Sequence, residues 1–259
     1  MKHLKYLIQP LILLMILGCD TQEVKYNKFS IDYSEKIFIP SDIDFIILSP
    51  YAKVRGNRDK AYAYISLTEL SKSSINFKDF PKDVFMQYNK TWSSFLVDIS
   101  HPAWQKLIDQ EIAWIKKQGF NKVFIDTVDG IETLCQLNND NCELYKQKAK
   151  QILQHIKAKL PEGMIINRGF TLYPHIKDIV DGVLIESYFF GKQGNKFVRR
   201  NQSDMDWLNA WVQRFNNDKQ MILAIDYAEN LSLTERKELQ KIANETGILW
   251  KLTNEALYW

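Results

Sequence analysis

Histidine is scarce in this 259-residue chain, with four in all. One of them, His3, stands in the N-terminal leader, and His101, His155 and His175 fall in helical or loop segments. That leaves little material for a zinc hydrolase or a Ser-His-Asp centre, both of which need imidazole at the site. Cysteine is sparser still, with only three residues. Two of them, in "CQLNNDNC", have no histidine nearby and match no common zinc spacing. The net charge of +3 is spread over interspersed lysines and acids. No basic block or basic aromatic stripe appears, so nucleic acid is not an expected partner. No glycine-rich phosphate fingerprint follows the first apolar run, which weakens the dinucleotide-binding version of an open α/β sheet. No cofactor is called for.

Long apolar runs are also missing. The longest, Leu7 to Leu17, follows Lys2 and Lys5 and is too short for a stable membrane span. It reads as an export signal over residues 1–18. Its ending, "ILGC", resembles the site at which bacterial lipoproteins are cut and acylated, so Cys19 is the expected lipidated first residue of the mature protein. Residues 19–40 read as lipidated N-terminus and tether, and the expected location is the exported face of a membrane, periplasmic or cell-surface. In that oxidising setting Cys135 and Cys142, in a polar segment, are expected to be bridged rather than free.

Removing the signal leaves about 240 residues, the usual size of one (β/α)8 barrel. Eight short apolar runs recur: "DFIILS", "AYAYIS", "SFLVDI", "KVFIDT", "GMIINR", "GVLIES", "MILAID" and "GILWKL". Helical patterns lie between several of them. In "HPAWQKLIDQEIAWIKKQGF", Trp104, Ile108, Ile112 and Ile115 fall near helical spacing, with Pro102 early and Gly119 as a stop. Runs without strict polar alternation suit a parallel sheet covered on both faces. A single-domain TIM barrel over residues 41–259 is therefore expected, with a doubly wound open sheet as competitor. The stretch from Thr68 to Trp92 reads as a long loop over the barrel mouth.

Barrel enzymes carry their sites at the carboxyl ends of the strands, and acids collect there in this chain. Asp98, Asp126, Glu186 and Asp226 end apolar runs, and Glu69 follows another by a few residues. Asp98 and Asp129 read equally well as a helix cap or turn residue. Asp126 and Glu186 each follow an apolar triplet directly and come from the fourth and sixth runs. Alternate strands fill one side-chain layer, so these two carboxyls can face each other across the mouth, as glycosidic cleavage requires. A buried acid pair also suits a divalent metal, but oxygen-only coordination needs further ligands that the sequence does not place. Tyr51, Tyr64, Trp92, Phe170, Tyr188, Phe189 and Tyr227 lie near strand exits as candidate sugar platforms, although each also reads as core packing. Arg168, in "INRGF", is placed to hold a carboxylate or hydroxyl.

In order along the chain, "YISLTE", "FLVDISHPAWQ", "GFNKVFIDTVDG", "IINRGF", "VDGVLIESYF" and "ILAIDYAEN" resemble the endo-α-1,4-polygalactosaminidase family of glycoside hydrolases, from about residue 44 to 250. The resemblance implies a (β/α)8 barrel that cleaves α-1,4-linked galactosamine-rich polysaccharide. It also implies that Asp126 and Glu186 are the catalytic pair, with Asp126 taken as nucleophile and Glu186 as acid/base. The remaining candidates, Tyr51, Tyr64, Glu69, Trp92, Asp98, Asp129, Arg168, Tyr188, Asp226 and Tyr227, are expected to bind substrate. A monomer is expected. A carbohydrate-binding barrel without catalysis is the alternative, and the presence of both acids favours the enzyme.

Overall fold

The computed structural model describes residues 28–194, 196–228 and 231–253. Cys19 and the export signal lie outside the described residues. Eight parallel strands form one sheet in chain order: β1 Phe29–Asp32, β2 Phe45–Leu48, β3 Ala61–Ser66, β4 Lys122–Asp126, β5 Gly163–Asn167, β6 Gly182–Glu186, β7 Met221–Asp226 and β8 Ile248–Leu252. The sheet curls almost into a closed barrel. At the seam, the Lys251 ammonium on β8 donates to the Phe29 carbonyl oxygen on β1, 3.3 Å away. This is the (β/α)8 TIM-barrel architecture.

Two expectations change. The barrel begins at Phe29, not at residue 41, so part of the expected tether is its first strand, paired with β2 from Phe29↔Phe45 to Asp32↔Leu48. The run "SFLVDI" is not a barrel strand. Ser94–Val97 instead pairs antiparallel with Glu69–Ser71 and Phe85–Asn89 in a separate three-stranded sheet. The Thr68–Trp92 stretch therefore crosses the mouth as ordered sheet and turns. Phe29–Asp32 adds a first strand where "SFLVDI" leaves the barrel, so Asp126 and Glu186 still end β4 and β6.

Six α-helices are present among the described residues, beside three short 3-10 turns: α1 Pro102–Lys117, α2 Gly130–Leu137, α3 Cys142–Lys159, α4 Tyr173–Ile176, α5 Gln202–Asn217 and α6 Leu233–Glu245. The connections after β1 and β2 carry a two-stranded parallel ribbon, Lys36–Phe38 with Lys53–Arg55, in place of α-helices. Local signals set the helix starts. His101 caps α1 by accepting from the Ala103 amide, and Ser232 and Glu235 form a reciprocal capping box at α6.

Side-chain parity divides the core in two. Phe29, Ile31, Phe45, Ile47, Tyr62, Phe124, Ile165, Leu184, Leu223 and Ile225 fill the barrel interior. Their neighbours along each strand, such as Val123, Ile125, Val183 and Ile185, pack outward against the helices. Because side chains alternate with period two, continuing the inward set past each strand end points Tyr33, Tyr64, Asp126, Asn167, Glu186 and Tyr227 at the mouth.

Cys135 in α2 is bonded to Cys142 at the start of α3, with Cα atoms 4.4 Å apart. The bridge ties down the helix whose first turn faces the site. Replacing both cysteines by serine should lower stability by about 2 kcal/mol, the loop-closure entropy of so short a ring. Urea unfolding of oxidised parent and double variant measures this, and identical midpoints would remove the bridge's role.

Candidate active site

The strands deliver the reacting groups and then break sharply. Thr127, Arg168 and Ser187, the residues directly after Asp126, Asn167 and Glu186, have φ of +58°, +54° and +60°. Left-handed backbone is costly for non-glycine residues, most of all for a β-branched threonine, and such strain persists where surrounding bonds over-determine it. At Thr127 those bonds are visible. Its hydroxyl accepts from the Thr68 amide at 3.0 Å and pairs with the Ser66 hydroxyl at 2.9 Å, while its carbonyl accepts from the Thr68 hydroxyl at 2.6 Å. Gly130 lets Thr68 come this close, since a Cβ there would lie 2.1 Å from the Thr68 Oγ1.

Asp126 and Glu186 are joined through one nitrogen. Asn167 Nδ2 donates to Asp126 Oδ1 at 2.8 Å and to Glu186 Oε2 at 3.0 Å. Those two oxygens are consequently no more than about 6 Å apart, short of the ~6.5–9.5 Å by which inverting glycosidases separate their carboxyls. The remaining oxygens are held by phenols, Tyr64 donating to Asp126 Oδ2 at 3.0 Å and Tyr227 to Glu186 Oε1 at 2.7 Å. Burial, and then the nearby Glu186 charge, push the Asp126 carboxyl up to about 6, against the pull of its donors. Tyr33 completes the cluster, packed edge-on to Tyr64 at 5.5 Å, and burial together with the two carboxylates raises its phenol well above the usual range.

The pair opens into a cleft of about 1130 Å³, beyond the ~300–1,000 Å³ typical of small-molecule sites. Six acids line it, Glu69, Glu111, Asp126, Asp129, Glu132 and Glu186, against Arg168 and Lys192. Arg168 donates to the Glu186 carbonyl at 2.8 Å and lies 3.6 Å from the Asp129 carboxylate. Burial raises the Asp129 carboxyl, opposed by the Arg168 charge. Glu69 accepts from Asn89 and from the Ser94 hydroxyl. Tyr51, Tyr64, Trp92 and Tyr227 also line the cleft.

Three expected substrate-binding residues lie elsewhere. Asp98 sits on the connection into α1, where it accepts from the Ser100 amide at 2.8 Å and hydroxyl at 2.6 Å; its run is not a barrel strand. Tyr188 is fully buried and donates to Asn209 Oδ1 at 2.6 Å. Asp226 has the wrong parity. Between the inward Ile225 and Tyr227 it turns outward, fully buried, and accepts from the Phe189 and Phe190 amides at 3.0 and 2.9 Å and from Trp250 Nε1 at 2.7 Å. Phe170 and Phe189 are likewise buried in packing, the first among Trp207, Trp211 and Phe215 and the second against Trp250. Conversely, Tyr33 and Asn167 belong to the site although no acid in the sequence marks them. Both stand two residues past an inward apolar position, a parity that would have found them.

The family model for glycoside-hydrolase family GH114 matches residues 21–257. Among solved structures, the glycoside hydrolase domain of PelA from Pseudomonas aeruginosa is similar at 21% identity and a TM-score of 0.73, covering 91% of this chain and 97% of that one. Ega3 from Aspergillus fumigatus, solved in complex with galactosamine, is similar at 12% identity and a TM-score of 0.66, covering 90% and 93% of the two chains. A search of curated proteins returned no match. At these identities the structural likeness speaks for the barrel, whereas the family match spans almost the whole sequence: the chain belongs to glycoside-hydrolase family GH114 and is a glycoside hydrolase.

Proposed function

We propose that this protein is an exported, lipid-anchored hydrolase that cleaves galactosamine-rich polysaccharide with retention of anomeric configuration. The observation that carries the reading is the single Asn167 nitrogen holding Asp126 and Glu186 together at the end of a long acidic cleft. A short carboxyl separation leaves no room for an attacking water between acid and sugar and suits direct attack by one carboxylate. The excess of acids lining the cleft suits a polymer whose free amines are protonated. The galactosamine complex of Ega3 supports the same sugar class.

In this reading Glu186, with the longer side chain, gives its proton to the glycosidic oxygen as the C1–O bond breaks, and an Asp126 oxygen bonds to C1. Water then attacks C1, Glu186 takes the water proton, and the bond to Asp126 breaks. Tyr64 and Asn167 hold Asp126 in place for attack, and Tyr227 holds Glu186. The pair needs one proton. Burial and the Glu186 charge raise Asp126 to about 6, and the attacking carboxylate must be ionised, so turnover should decline as pH falls below that value. The test is incubation of purified protein with cationic galactosamine polymer, with NMR of the first-formed products. Release of oligosaccharides with the α anomer first supports the proposal, inversion removes the double displacement, and no release removes the substrate.

The anchor rests on the basic leader, the apolar run and the "ILGC" ending. Several acyl chains at ~0.8 kcal/mol per buried CH₂ hold a protein firmly at a bilayer. Cys19→Ser in the native host should move the protein out of the membrane fraction, and unchanged fractionation would sink the anchor.

A further inference from the structure

The cleft extends well past the reacting pair. Tyr51 follows β2, four strands round the barrel from β6, and therefore lines the cleft across the mouth from Glu186. The residue is 45% exposed, yet its side chain is held by neighbours. It stacks on Trp114 with centroids 5.6 Å apart and planes 19° apart, and its hydroxyl donates to Glu111 Oε1 at 2.6 Å. Trp114 is fixed in turn, its Nε1 donating to the Pro50 carbonyl at 3.0 Å. An exposed aromatic face immobilised in this way gives up little entropy when a flat apolar surface settles on it.

Glu111 stands beside that ring, half-buried on the face of α1 that lines the cleft. Both of its protein donors, the Tyr51 hydroxyl and Asn76 Nδ2 at 3.4 Å, reach Oε1. Among the described residues Oε2 has no hydrogen-bond partner. Burial raises the Glu111 carboxyl, so its charge is short of solvation and gains from a nearby cation. Neither Tyr51 nor Glu111 is bonded to Asp126 or Glu186.

From this geometry we infer a distal subsite for a 2-amino sugar, with the pyranose C–H face on Tyr51 and its ammonium on Glu111 Oε2. The inference rests on the proposed substrate class and extends it. The enzyme reads a free amine away from the scissile bond, and so prefers long, deacetylated chains.

The test is calorimetric binding of galactosamine oligomers of increasing length, their N-acetylated counterparts, and glucosamine oligomers as a second cationic probe. Asp126→Asn serves as the background so that nothing is cleaved. Adding Tyr51→Ala should weaken the longest oligomers about tenfold, ~1.4 kcal/mol, relative to the shortest. Adding Glu111→Gln, which keeps the hydrogen bond from Tyr51, should erase the preference for free amine over acetamide in the long oligomers. A Tyr51→Ala effect independent of length, an unchanged amine preference in Glu111→Gln, or no oligomer binding at all overturns the subsite. Glu111-dependent binding of glucosamine oligomers by a protein that leaves galactosamine polymer intact keeps the subsite and removes the proposed substrate. Cleavage of that polymer with neither residue mattering does the reverse.

Discussion

Asp126→Asn and Glu186→Gln should each lower kcat by at least about 10³-fold, the scale on which positioned acids, bases and nucleophiles act. Binding of oligosaccharide should change little, because shape and most hydrogen bonding survive. The same Asp126 change should make the protein more stable at neutral pH. The native carboxyl is raised to about 6 by burial and by Glu186, above the ~3.9 of an unfolded aspartate. A group raised in this direction contributes stability that is fully present below the unfolded pKa and is lost as pH rises through the folded one. At pH 7 the ionised Asp126 is therefore a burden that asparagine lifts. Allowing for the weaker hydrogen bonds to Tyr64 and Asn167, the gain should be about 1–2 kcal/mol at pH 7 and close to zero at pH 4. Kinetics on cleavable polymer together with urea melts across that range test both halves. Parent-like turnover in either variant removes the pair, and a stability difference that ignores pH removes the account of Asp126 as a buried, repelled carboxylate.

The largest loss of stability is expected from Asp226→Ala. Three donors converge on this carboxylate inside the protein, the amides of Phe189 and Phe190 and the Trp250 indole nitrogen. Truncation orphans all three, and each unpaired buried donor costs ~1–3 kcal/mol. Partial relaxation leaves an expected loss of about 3–5 kcal/mol in urea unfolding. Activity should also fall at temperatures where the variant remains folded, because the two amides belong to the segment that follows Glu186 and Ser187. The fall should appear mainly in kcat, since the reacting carboxylate shifts while the distal cleft wall is untouched. A variant within about 1 kcal/mol of the parent would show that the three donors find other acceptors.

Asp226 also illustrates how far parity can be read without coordinates. In "MILAIDYAEN" the inward residues are Leu223, Ile225 and Tyr227, so Asp226 belongs to the helix side. The same count from Phe124 reaches Asp126, from Leu184 reaches Glu186, and from Ile165 reaches Asn167. An acid ending an apolar run looks the same in the sequence on either face. Its neighbours two residues back decide whether it meets the substrate or a buried backbone amide.

The sequence by itself determined the alternation of apolar runs and amphipathic helices, the inward phase of each strand and the acids at the exits of β4 and β6. These are local properties, set by a period of two or of 3.6 over a few residues. Tertiary structure alone decided which runs joined the barrel. "SFLVDI" carries more apolar residues than "FSID", yet it pairs with Glu69–Ser71 and Phe85–Asn89 while Phe29–Asp32 opens the barrel. Pairing partners are non-local, and neither pattern encodes them. Tertiary structure likewise brought Asn167 between two carboxylates 41 and 19 residues away in sequence. It also set Thr127, Arg168 and Ser187 in left-handed turns that no glycine announces, because contacts such as those of Thr68 with Thr127 impose a backbone that local propensity disfavours.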